Sequence, residues 1–410
     1  MSWHLARRSG ERGLLLLVGV DVAALAVSAH RAGYRVHVVD VFGDRECRAF
    51  TERSLSIVEQ VSGRSCGRFE AVFSPEALLN LAEKLARDYS YDGVILSSGL
   101  EDSPESLSRL EDIAPLLGNT RQAISGVRDR KRFHESLSRL GIHGPMTLSA
   151  SNVVEAKEAA QQLGYPVVLK PNVGFGGANI HRALNEEELV RITEKRNDGF
   201  LVQQYVEGVA ASTSLIATQD HSVAVTVNRQ ILGVASLGAP GAFAYCGNIV
   251  PHDDSEKVNS RCRKVSEKVV EAFGLVGSNG VDLVIDHSGQ PWVIEVNPRF
   301  QGTLECVETV LGANLVEAHL AASLRNRLPK LGKAKGYCVR LILYSREPSL
   351  VPDLRQFSWV RDIPIPGVIV ERNEPLCSVV ATGDRAGPAL LKSAELGEAV
   401  YSSLQRLECL

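Results

Sequence analysis

No uninterrupted apolar run in this sequence is long enough to cross a bilayer, so a membrane-spanning helix is not expected. An excess of either charge is lacking too. The 45 Lys and Arg against 48 Asp and Glu leave a formal net charge of -3, no reason to expect nucleic acid or an anionic membrane as partner. The eight cysteines are scattered and include no CxxC pair, which argues against a zinc site. A convincing export signal is also missing. Arg7, Arg8 and Arg12 precede the apolar stretches LLLLVGV and DVAALAVSA, but Asp21 interrupts them and the pattern continues as strand, turn, helix, strand. Reduced thiols in a cytoplasm are therefore expected. Internal repeats and low-complexity tracts are absent, as is the GxGxxG dinucleotide fingerprint. What remains is a composition of 44% hydrophobic and 23% charged residues, that of a soluble globular protein, in a chain of 410 residues that predicts two to four domains.

The stretch Gly280 to Glu308, GVDLVIDHSGQPWVIEVNPRFQGTLECVE, organises the reading. Two runs rich in Val and Ile flank the turn signal Asp286-His287-Ser288-Gly289, which predicts a β-hairpin. Side chains alternate faces along a strand, so Glu295 and Asn297 share one side, and Asp282 on the first strand can reach it. Two carboxylates and an amide converging there make an all-oxygen site suited to Mg²⁺ carrying phosphate oxygens. A surface hairpin with ordinary charges is the alternative. Glu295 and Asn297 interrupt an apolar strand, however, which costs stability unless something binds them.

Upstream, Leu14 to Val18 reads as a buried strand, Val22 to Arg31 as a helix ended by Gly33, and Arg35 to Val41 as the next strand. This βαβ unit implies a parallel sheet whose ligand edge lies at the C-terminal ends of its strands. Asp40 there could contact a ribose or simply cap a turn. The strand Gly93 to Leu96 opens into Ser97 to Glu101, whose small residues let a ligand approach the backbone. Residues 1–120 are assigned to this first domain.

Further on, Tyr165-Pro166-Val167-Val168-Leu169-Lys170-Pro171 predicts a strand that leads into Asn172 to Ala178, a segment containing Gly174, Phe175, Gly176 and Gly177. Such a loop has the logic of a phosphate flap: glycines free backbone N–H groups to turn toward phosphate oxygens, and Lys170 at the root supplies positive charge. It is not a Walker loop, because the lysine precedes the glycines and no GK[ST] follows. The segment Gly238 to Pro251 could line an acceptor pocket or serve as a connecting loop.

Taken together, these segments resemble the ATP-grasp superfamily, near the carboligases related to biotin carboxylase. The D…ExN set followed by Pro298-Arg299, the Arg130-Lys131 pair before Phe133 and Gly141-Ile142, the PVVLKP strand with its glycine loop, and LVQQYVEG at 201–208 carry the likeness. The resemblance implies a Rossmann-like α/β domain, a central ATP-grasp domain over 121–330 with a lid at about 150–205, and a small C-terminal α+β domain over 331–410. It implies that ATP and Mg²⁺ (or Mn²⁺) bind, with the metal on Asp282, Glu295 and Asn297. Lys131, Lys170 and the flap would hold phosphates, and Arg299 with Lys170 would act at the transferring group. Gln203, Gln204, Tyr205 and Val206 would form the adenine hinge, with Glu207 or Ser212 at the ribose. The implied reaction is the joining of a small-molecule carboxylate to an amine through an acyl phosphate, with a homodimer as an assembly the family admits. A biotin-dependent carboxylase subunit and a non-catalytic nucleotide sensor are the other readings, although no biotinyl-acceptor Met-Lys-Met occurs.

Overall fold

The computed structural model describes residues 13–172, 174, 176–194 and 199–406. Arg7, Arg8 and Arg12 lie outside them. The first sheet is parallel, in the order β3-β2-β1-β4, from strands β1 Leu14–Val18, β2 Arg35–Asp40, β3 Arg53–Ser56 and β4 Gly93–Leu96. All five residues of β1 are buried, as expected for a parallel strand covered on both faces. The helix Ala23–Arg31 follows, and Gly33 takes the positive φ of +81° that ends it. At the C-terminal edge, a Cβ on Gly19 would fall 2.5 Å from Ser97 Cβ, so glycine is what lets the loops after β1 and β4 lie together.

The segment read as a lid forms an antiparallel sheet, β5-β8-β6-β7, built from β5 Thr147–Ala150, β6 Val167–Pro171, β7 His181–Ala183 and β8 Phe200–Gln204. Helices Val153–Leu163 and Glu186–Thr193 cover one face, each started by an asparagine side chain, Asn152 and Asn185, accepting a backbone N–H. Phe200, Leu169 and Val202 fill the lid's own core.

The largest sheet has eight strands in the order β13-β12-β9-β10-β11-β14-β18-β16. Its members are β9 Val209–Ala217, β10 Ser222–Leu232, β11 Tyr245–Val250, β12 Gly277–Ile285, β13 Pro291–Asn297, β14 Tyr337–Tyr344, β16 Val360–Arg361 and β18 Pro375–Gly383. Short strands β15 Ser349–Leu350, β17 Ile369–Val370 and β19 Gln405–Arg406 form a fourth sheet, small and antiparallel. The C-terminal segment has the expected α+β make-up. Its strands nevertheless extend the central sheet, because β14 pairs with β11 (Val250 with Cys338) and shares a core with Cys246 and Ile249.

Helices Leu304–Leu311 and Leu315–Arg325 join the first sheet to the central one, burying Val307, Val310 and Val316 against Leu15, Leu17 and Ala26. Within that seam Glu308, buried, accepts from Ser28 Oγ at 2.5 Å and pairs with Arg31 at 2.7 Å. Among the described residues no helix is long and apolar enough to cross a membrane.

Candidate active site

The hairpin β12–β13 forms around the turn that its sequence predicts. Asp286 Oδ1 accepts from the N–H groups of Ser288 and Gln290, and Gly289 has φ +74°. Asp282 stands opposite Glu295, and Gly280 opposite Asn297. Leu283 then pairs with Val293, which leaves Ile294 as an extra residue in β13. A bulge of this kind re-aims side chains beside it. Asn297 Nδ2 donates to Asp282 Oδ2 at 2.9 Å, and Gln230 Nε2 from β10 donates to Oδ1 at 2.9 Å.

Burial first, and then the facing Glu295, push the Asp282 carboxyl up to about 7. Two carboxylates forced together in this way, with an amide beside them, fit a hard divalent cation, whose charge would relieve the repulsion.

Cationic side chains surround the hairpin. Lys170 at the end of β6 has its ammonium destabilised by burial, against the attraction of Glu295 and Asp282. Arg299 donates Nη2 to Asn297 Oδ1 at 3.1 Å and Nε to Glu101 Oε1 at 2.6 Å. Burial alone would raise the Glu101 carboxyl, but the Arg299 charge and hydrogen bond outweigh it and hold the group below its ordinary range.

Asp129 ends helix Arg121–Arg128 and caps helix Arg130–Arg139, its Oδ1 accepting from Arg132 N at 2.9 Å. That break turns Arg128 inward. Its Nη1 lies 4.0 Å from Glu295 Oε2 while Nε and Nη2 each meet Asp102 at 2.6 Å. Arg130 reaches Asn172 at the flap root, 3.3 Å from Oδ1. Lys131 is exposed on the cleft wall. Arg128 and Arg130 are thus site-facing residues that sequence reasoning missed. Reading Asp129 as an N-cap would have exposed the break and separated them.

Gly174, Gly176 and Gly177 lie in the connection from β6 to β7, and Phe175 falls outside the described residues. Gly176 O accepts from Tyr245 N at 3.0 Å. Gly177 has φ +76°, and a Cβ there would stand 1.8 Å from Phe243 O, so the flap rests against the segment before β11. Asn179 further along it reaches Glu70 of the first domain at 2.8 Å.

The hinge residues separate into different roles. Gln203 is buried and donates to Thr147 Oγ1 at 2.8 Å, and Gln204 N bonds Met146 O at 2.9 Å. The Arg182 guanidinium lies over the Tyr205 ring at 5.1 Å, and Val206 lines the cleft. Ser212 sits on β9 directly across from Asp282 and is buried. Glu207 is not brought to the cleft: it is exposed and its carboxylate lies 3.9 Å from His287 on the outside of the hairpin turn. Hinge, flap, hairpin and the edge of the first sheet border one cleft of about 2240 Å³.

Residues 127–303 match the family model described as the ATP-grasp domain. An uncharacterized protein of Methanocaldococcus jannaschii is 23% identical over 366 residues, 89% of this chain and 87% of that one. The carbamoyl phosphate synthase large chain of Pseudomonas aeruginosa is 25% identical over 265 residues, 63% of this chain but only 24% of its own length. This chain therefore spans about a quarter of that relative. Among solved structures, biotin carboxylase of Campylobacter jejuni, crystallised as a β,γ-ATP complex, superposes with a TM-score of 0.72 at 16% identity, over 96% of this chain and 91% of that one. Residues 127–303 are thus similar to the ATP-grasp domain, within a fold similar to that of biotin carboxylase along nearly the full length of the chain.

Proposed function

We propose that the protein is an ATP- and divalent-metal-dependent ligase that activates a small-molecule carboxylate as an acyl phosphate and joins it to an amine, releasing ADP and phosphate. The observation that carries this reading is the Asp282–Glu295 pair, facing across the hairpin at the cleft floor and ringed by Lys170, Arg128 and Arg299. A carboxylate is a poor electrophile, and phosphorylation supplies the leaving group it lacks. The chemistry is mostly positioning and neutralisation of charge. Asp282, Glu295 and Asn297 would hold Mg²⁺ or Mn²⁺, which neutralises phosphate charge when bound. Lys170 and Lys131, with the Gly174 to Gly177 segment, bind phosphate oxygens in this reading, and Gln203 to Val206 meet the adenine. Ser212 rather than Glu207 is the cleft-side candidate for the ribose. Arg299, oriented by Glu101, balances negative charge on the group in transfer.

Likeness of fold to biotin carboxylase keeps bicarbonate as a competing acid. One assay separates the two. ADP release is followed with organic acids in the presence of hydroxylamine, which intercepts an acyl phosphate as a hydroxamate. Acid-dependent hydroxamate is the expected result, and bicarbonate-dependent carboxylation of free biotin would overturn the amide reading.

A further inference from the structure

Away from the hairpin, three carboxylates from distant parts of the chain meet in the wall of the same cleft. Asp21 follows β1, Asp44 precedes the helix Arg45–Ala49, and Asp362 follows β16. One oxygen of each lies within 4.8 Å of the others. Arg340 on β14, only 4% exposed, serves two of them. Its Nη2 is 3.4 Å from Asp21 Oδ2 and hydrogen-bonds Asp362 Oδ2.

Asp44 is the third, and it has no such partner. The residue is 5% exposed and lines the cleft, yet among the described residues no donor reaches its carboxylate, which does not even cap the helix it precedes. Burial and the surrounding Asp362, Asp40, Asp21 and Glu46 all push its carboxyl up. A buried carboxylate left without a donor is costly. Its neighbour Asp40, by contrast, is satisfied by Gly43 N and Ser56 Oγ.

One guanidinium among three carboxylates leaves a cationic group wanting. Resting on the ligase reading above, we infer that Asp21, Asp44 and Asp362 seat the ammonium group of the acceptor, so that the amine substrate is a primary amine entering as a cation. An ammonium has three N–H donors and one charge, which matches three acceptors of which only two share a fixed cation. A divalent metal suits the site less well, since it would stand beside the buried Arg340 guanidinium. Tyr245 lines the same cleft, and its hydroxyl accepts from Asn248 Nδ2 at 2.7 Å.

The test is calorimetric binding to the full-length protein at neutral pH, with n-butylamine as probe and n-butanol and n-butyrate as neutral and anionic controls. Saturable binding of n-butylamine alone is expected, weakened about tenfold or more by Asp44→Asn, the loss of one charge-assisted partner. Asp44 touches no other side chain through a hydrogen bond, so the variant should fold, and its MgATP affinity, measured in parallel, should equal the wild type's. Intact MgATP binding with no n-butylamine binding, or with equal binding in Asp44→Asn, overturns the ammonium seat and leaves the ligase reading standing. Loss of a Mn²⁺ site in Asp44→Asn, with n-butylamine inert, overturns it in favour of a metal. Failure of MgATP to bind the wild type overturns the ligase reading, and with it the acceptor role inferred here.

Discussion

Arg299 and Glu101 meet at 2.6 Å, with side chains only 15% and 11% exposed, and so tie the end of the hairpin β12–β13 to the loop after the last strand of the first sheet. Glu101 is in turn held by Gly99 N, which donates to its other oxygen at 2.6 Å. The guanidinium keeps Nη2 on Asn297 while Nε is fixed by Glu101, so its orientation depends on both domains.

Arg299→Ala should depress hydroxamate formation about a hundredfold or more, the usual scale for losing one partner of transition-state charge. Glu101→Gln should cost less, about tenfold, because it acts by orienting Arg299. Combined with Arg299→Ala it should add almost nothing, since groups acting as a unit are non-additive. Losses that simply multiply in the double variant would mean that Glu101 does not work through Arg299.

Glu295→Gln should abolish ATP turnover while leaving the fold intact, a neutral amide being a poorer partner for Mg²⁺. Turnover near the wild-type rate at saturating Mg²⁺ would remove Glu295 from the site.

The Asp282 carboxyl, pushed up to about 7, makes the site sensitive to pH. In the metal-free protein it retains a proton between its ordinary value of 3.8 and about 7, where the unfolded chain has lost one. Its contribution to stability is therefore lost as pH rises through that window. Apparent Mg²⁺ affinity should move the other way, increasing with pH up to about 7, because the cation must displace that proton. The metal-free melting temperature of Glu295→Gln should accordingly gain on the wild type as pH goes from 5 to 8, the facing charge having been removed. A difference between the two proteins that stays constant with pH would contradict this coupling.

Hydrogen exchange addresses the flap. The amides near Gly176 and Gly177, and that of Tyr245, which donates to Gly176 O, should exchange more slowly with ATP than without it. Equal protection in both states would make this segment a fixed turn. Gly177→Ala should raise the KM for ATP several-fold, since a Cβ would stand 1.8 Å from Phe243 O at a φ of +76°. An unchanged KM would show that the flap does not need to lie on that backbone.

The hairpin β12–β13 was legible because everything that makes it is local. The turn chemistry of Asp286 and Gly289, and the period-two spacing of Glu295 and Asn297, lie within a few residues of each other. Strand β4 follows its sequence expectation residue for residue, being an apolar run bounded by turn signals. The glycine-containing connection after β6 was legible for the same reason, as glycines cluster directly after a strand that ends in Lys170 and Pro171.

Other relationships were decided only when distant segments packed. Arg299 finds Glu101 across 198 residues of sequence, and Arg128 turns toward Glu295 because Asp129 breaks one helix and starts another. Glu207 lies in a motif that reads as part of the nucleotide hinge, yet the hairpin turn draws it outward to His287. Local sequence determined which residues sit on strands, at turns and on which face, because backbone periodicity and turn chemistry act over a few residues. The tertiary structure alone decided that β14 continues the central sheet and that Asp21, Asp44 and Asp362 converge, with Arg340 pairing two of the three. Sheet order and the desolvation of charge depend on which segments pack together, and no short stretch of sequence records that.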